Sequence, residues 1–121
     1  MTDAGPQDAV TIWHNPRCSK SRGALALLTE RGVDPAVVRY LDDAPDRAGL
    51  ERVLAQLGTD DPRAIVRTGE KLYTELGLAD ADRDTLLDAL AAHPILIERP
   101  IVVVGDRAVV GRPPEKVLDL L

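Results

Sequence analysis

A single cysteine, Cys18, leaves this chain of 121 residues without an internal disulfide. It also leaves it without a zinc site, because Cys18, His14 and His93 form no tetrahedral spacing set. A lone thiol fits a reducing compartment, so a cytoplasmic location is expected, and any redox cycle at Cys18 needs an external electron partner. Aromatic residues make up only 2% of the chain and the formal net charge is −5, so no basic stripe with interleaved aromatics exists to hold nucleic acid. An anion site, if present, must be local. No apolar run is long enough to span a membrane, and no N-terminal charge is followed by a hydrophobic stretch, so neither membrane insertion nor export is expected. Met1 to Gln7 reads as a short flexible leader. Glycine-rich nucleotide loops, internal repeats and low-complexity segments are also missing. A cysteine-phosphatase cradle is excluded because it needs C-x5-R, and Arg22 arrives too early after Cys18.

What is present is concentrated in His14-Asn15-Pro16-Arg17-Cys18-Ser19-Lys20-Ser21-Arg22. Val10-Thr11-Ile12-Trp13 ahead of it is β-branched or aromatic and reads as a strand, which Pro16 ends. From Ser19 the pattern reads as a helix, with Leu25 and Leu28 on one face and Gly32 as the stop. Cys18 is thereby predicted at a helix N-terminus, where unpaired N–H groups and a partial positive charge favour a thiolate. Lowering a cysteine pKa from about 8.5 to about 6.5 takes roughly 2.7 kcal/mol, of which a helix end supplies at most about 2 kcal/mol. A cation must supply the rest. Arg22, one turn on, is the natural candidate, with Arg17, Lys20 and His14 adding positive or switchable charge.

The length fits one domain, 1–121, and 45% hydrophobic residues suffice for a single core. Ala36 to Leu41 reads as a second strand, so the first half is a right-handed βαβ unit. Asp46 caps a helix carrying Leu50, Val53, Leu54 and Leu57, and Gly58 closes it. Asp61-Pro62 starts a short helix to Arg67, Glu70 to Leu76 makes a further turn ended by Gly77, and Asp84 starts a helix through Leu86, Leu87 and Leu90. Ile101 to Val104 is continuously apolar and should be central in the sheet. Gly105-Asp106-Arg107 is read as a turn, Ala108-Val109-Val110 as its antiparallel partner strand, and Val117, Leu118 and Leu121 as the apolar face of a last helix. The expected class is α/β: a small mixed four-stranded sheet with a helical insertion, residues 46–92 approximately, between the second and third strands.

This order resembles the thioredoxin plan, in which the redox motif sits at the first strand-to-helix junction. Cys18-Ser19-Lys20-Ser21 then corresponds to a C-x-x-C with serine as its second member, and Pro100 to the cis-proline facing that loop. Arg22, Arg67, Arg99 and Arg112 all stand at turns or element ends, where planar guanidinium forks could share one oxyanion.

More specifically, the chain resembles the glutaredoxin-dependent arsenate reductases, in the thioredoxin-like group that also holds the Spx-type regulators. The resemblance rests on the His14 to Arg22 loop, Arg63-Ala64-Ile65-Val66-Arg67, Glu75-Leu76-Gly77-Leu78, His93 through Val103, and Gly111-Arg112-Pro113. It implies that Cys18 attacks arsenate, that Arg67, Arg99 and Arg112 hold the oxyanion, and that His14, Ser21 and Arg22 complete the loop around the thiol. It further implies no bound cofactor or metal. Glutathione or mycothiol would serve as co-substrate, glutaredoxin as the thiol-transfer partner, and the protein would act as a monomer. Two other classes use the same scaffold. A glutathione-dependent thiol reductase would turn the arginines on glutathione carboxylates, and an Spx-like adaptor would dock on RNA polymerase, although Ser21 removes the usual C-x-x-C switch.

Overall fold

The computed structural model describes residues 9–121, so the leader expected at Met1 to Gln7 lies outside the described residues. Its elements run β1 (Val10–Trp13), α1 (Ser19–Glu30), β2 (Ala36–Val38), α2 (Arg47–Leu57), α3 (Lys71–Glu75), α4 (Arg83–Ala92), β3 (Ile101–Val104) and β4 (Arg107–Val110). Short 3-10 segments, among them Pro62–Ile65, Pro94–Leu96 and Pro114–Leu120, fill the connections and the C-terminal end. The sheet order is β2-β1-β3-β4, with β1 and β2 parallel and the other pairs antiparallel. This is the mixed, thioredoxin-like sheet expected, and β3 is central as its apolar run implies.

Alternation along the strands sends neighbouring side chains to opposite faces, and both faces are covered. Ile12, Val102 and Val104 join Ala24 and Leu28 of α1 and Val117 and Leu120 of the C-terminal 3-10 segment. Trp13 and Ile101 point the other way, into a larger cluster with Leu50, Val53 and Leu54 of α2 and Leu86, Leu87 and Leu90 of α4. The helices between β2 and β3 thus cover one face, while α1 and the C-terminus cover the other.

Local chemistry sets most boundaries. The Asp46 carboxylate accepts the Gly49 N–H at 2.8 Å and caps α2, whose end at Gly58 uses a left-handed φ of 84°. Five expectations need correction. The short helix begun at Asp61-Pro62 is 3-10 and stops at Ile65 rather than Arg67, because Val66 turns extended and pairs with Ile97. The second strand stops at Val38 rather than Leu41, because β1, its one partner among the described residues, ends at the loop: the His14 N–H donates to Val38 O at 2.8 Å, and beyond it the Asp42 and Asp43 N–H groups both turn back to Arg39 O. The fourth helix begins at Arg83, since Asp82 and not Asp84 is the cap, accepting the Thr85 N–H at 2.9 Å. Arg107 belongs to β4, opposite Val104, leaving Gly105-Asp106 as the turn. The last helix is 3-10, and its three-residue period turns Val117 and Leu120 inward while Leu121 stays exposed.

Candidate active site

The loop after β1 is built by its own side chains. Pro16 cannot continue the ladder, and the Asn15 carboxamide oxygen accepts the Arg17 N–H at 3.0 Å while Asn15 O accepts the Cys18 N–H at 3.0 Å. The chain is turned by these bonds into α1, with Cys18 as the N-cap residue in extended backbone. Burial raises the Cys18 pKa, but the N–H groups of Ser21 and Lys20 and the nearby Arg99 guanidinium outweigh it, so the thiol ends below its ordinary value.

The cation acting on the thiol is therefore Arg99, and the assignment of that task to Arg22 is corrected. Arg22 Nη1 donates to Pro16 O at 3.0 Å and braces the loop from its exposed side. Behind Cys18, Ser21 is fully buried; its hydroxyl accepts the Asn15 N–H at 3.0 Å and shares a 2.6 Å hydrogen bond with Nδ1 of buried His14. Burial, then the charges of Arg39 and Arg22, push the His14 pKa below its ordinary value. Both effects favour the neutral imidazole, and its bond to Ser21 ties the end of β1 to the first turn of α1.

Arg67, Arg99 and Arg112 come from three segments and line one recess of about 260 Å³. Arg67 is delivered by a short antiparallel bridge: Val66 pairs with Ile97, the Arg67 N–H donates to Leu96 O at 2.8 Å, and the Glu98 N–H to Ile65 O at 2.7 Å. Arg99 and Arg112 flank the base of the β3–β4 hairpin, where the Gly111 N–H meets Pro100 O at 2.9 Å and Arg112 Nη1 meets Arg99 O at 3.2 Å. The Arg99–Pro100 bond is cis, as expected, and so is Arg112–Pro113.

Three participants escaped the sequence reading. Glu70 lies 3.4 Å from Arg67, and Glu98 lies 3.1 Å from Arg99 and 3.7 Å from Arg112, so the recess carries carboxylates as well as guanidiniums. Tyr40, read only as a strand residue, is fully buried beside the Asn15 side chain, and neither its hydroxyl nor Arg99 Nε makes a hydrogen bond of normal geometry among the described residues. Burial raises the Tyr40 pKa against the lowering influence of Arg99 and Arg67. The i,i+3 spacing of Arg67 and Glu70 was a usable signal; nothing in the pattern marked Tyr40.

A thiol held toward its thiolate at a helix start, beside Arg99, one of three arginines that converge from distant segments on one recess, on a thioredoxin-like sheet, is the arrangement of a thiol-based redox protein. The ArsC family model matches residues 13–120, and the chain belongs to that family. A protein of Neisseria meningitidis serogroup A named arsenate reductase is 50% identical over 110 residues, covering 89% of this chain and 94% of its own. An arsenate reductase of Rhizobium meliloti is 46% identical over 114 residues, 93% of this chain and 81% of its own. The structure of an arsenate reductase from Vibrio cholerae superimposes with a TM-score of 0.90 at 49% identity, covering 94% of this chain and 98% of its own. Among the described residues there is no cluster able to hold a metal ion and no helix long and apolar enough to cross a membrane.

Proposed function

We propose that this chain is a thiol-dependent arsenate reductase of the glutaredoxin-coupled type, acting in the cytoplasm as a monomer with glutathione or mycothiol as co-substrate. The observation that carries the reading is the convergence of Arg67, Arg99 and Arg112 on one recess, with Arg99 also bearing on the Cys18 thiol. Guanidinium forks suit a tetrahedral oxyanion and hold it while its arsenic is attacked.

The Cys18 thiolate attacks arsenic, forming an S–As bond as an As–O bond breaks and the arsenate hydroxyl, taking up a proton from solvent, leaves as water. The N–H groups at the start of α1 and Arg99 favour the thiolate beforehand, while His14 and Ser21 fix the loop that presents it. An external thiol then attacks the Cys18 sulfur. The S–As bond breaks with its electron pair going to arsenic, which leaves as arsenite, and the two sulfurs, each oxidised by one electron, become a mixed disulfide. A glutaredoxin thiol takes up the glutathione sulfur and returns Cys18 as a thiolate. Because this chain has one cysteine, the resolving thiol must come from outside.

The test is arsenate-dependent NADPH consumption coupled through glutathione, glutaredoxin and glutathione reductase, with a mycothiol system alongside, for wild type and Cys18→Ser. Turnover that requires arsenate and vanishes in Cys18→Ser is expected. No turnover with either thiol system overturns the proposal, and a stable Cys18–glutathione adduct formed without arsenate would then favour a general thiol reductase.

A further inference from the structure

We propose that Glu98 is a specificity-determining residue: its carboxylate reads the proton on the bound oxyanion, admitting arsenate and phosphate and turning away sulfate. The inference rests on the recess being the oxyanion site.

Glu98 cannot withdraw with its backbone, which is tied down by the 2.7 Å bond from its N–H to Ile65 O and followed directly by Arg99 and Pro100. One oxygen, Oε1, sits 3.1 Å from Arg99 Nη1, 3.3 Å from the Arg99 N–H and 3.7 Å from Arg112 Nε. It therefore occupies the guanidinium edges that an incoming anion needs. Glu70 does the same for Arg67 at 3.4 Å. The recess balances three cations with two carboxylates, a formal surplus of a single positive charge. Charge alone thus gives weak selection for a dianion.

What remains is a question of donors and acceptors. Arg99 Nε is a buried donor with no hydrogen-bond partner among the described residues, and Arg99 Nη1 is already shared with Glu98. A carboxylate in the same recess is an acceptor only, so it binds an oxyanion that brings a hydrogen and repels one that does not. At neutral pH the arsenate and phosphate dianions each retain a proton, whereas sulfate, of similar size and equal charge, has none. Glu98 converts that single proton into a choice. Glu98→Gln removes the charge and offers an amide N–H₂ in its place, so a sulfate oxygen gains a donor where it met a carboxylate.

The experiment is calorimetric titration of phosphate and of sulfate into wild type, Glu98→Gln and Glu98→Asp at neutral pH, with arsenate turnover measured on the same preparations. Wild type is expected to prefer phosphate by about tenfold or more, a preference that Glu98→Gln cuts to within about twofold, chiefly by tightening sulfate. Glu98→Asp, which keeps the carboxylate, retains most of the preference even if its shorter arm lowers both affinities. An unchanged ratio in Glu98→Gln, or wild-type affinity for neither anion, overturns the proposal. Absence of arsenate turnover in a wild type that still shows the Glu98-dependent ratio would sink the reductase reading alone and leave this one standing.

Discussion

Replacing Ser21 by alanine isolates the element that fixes the thiol loop. Ser21 is fully buried in the first turn of α1, and its hydroxyl serves two groups of the preceding segment, His14 Nδ1 at 2.6 Å and the Asn15 N–H at 3.0 Å. Alanine fits the space and the helix, so the effect is not steric. It leaves both groups without a partner, and a buried polar group so stranded costs about 1–3 kcal/mol. His14 is 7% exposed and pays close to the full penalty, whereas Asn15 is half-buried and recovers part of its loss from water. The expected destabilisation is therefore about 2–4 kcal/mol. With a urea dependence of about 2 kcal/mol per molar, the unfolding midpoint falls by about 1–2 M. Trp13, the only tryptophan, lies next to the loop and reports the transition by fluorescence. The mechanism makes a second demand. Because the penalty comes from stranded partners, His14→Phe combined with Ser21→Ala should cost less than the sum of the single changes. A Ser21→Ala loss below about 0.5 kcal/mol, or strict additivity with His14→Phe, would refute the claim that this hydroxyl organises the loop.

Other outcomes follow from the same geometry. His14 has its folded pKa below the ordinary 6.5, so on acidification the unfolded chain takes up its proton first; stability holds above pH 6.5 and declines as pH falls toward the folded value, and urea titrations in this window should show a slope that His14→Gln lacks. A Cβ at Gly111 would stand 2.9 Å from Pro100 Cγ and 3.1 Å from Val117 Cγ1, so Gly111→Ala should destabilise by about 1–3 kcal/mol in the same assay. Tyr40→Phe deletes a buried hydroxyl that makes no hydrogen bond of normal geometry among the described residues; it should change stability by less than about 1 kcal/mol, and a larger loss in a thermal melt would mean that the hydroxyl is bonded to the neighbouring Asn15 side chain in solution.

How far a residue pattern reaches is set by how local its physics is. Val10–Trp13, the turn at Pro16, the caps at Asp46 and Asp61 and the stop at Gly58 were legible because each is decided within a few residues, and the structure keeps them all. The second strand was read too long because Arg39-Tyr40-Leu41 has strand-like composition, while strand length depends on a partner that Asn15 and Pro16 turn away. The electrostatics of the thiol show the same division. Arg22 is near Cys18 in sequence, so helical spacing nominates it, yet its guanidinium is engaged by Pro16 O on the outer side of the loop. Arg99 reaches the thiol only because the bridge at Val66 and Ile97 and the base of the β3–β4 hairpin carry it there. Such a contact is written in pairings, which no window of residues contains. Resemblance to a family could name Arg67, Arg99 and Arg112 together, since motifs compress the results of folding. It held Glu98 only as a letter within the His93 to Val103 block and did not include Glu70, because the significance of both lies in which guanidiniums they neutralise, and that balance is where we place the selectivity of the recess.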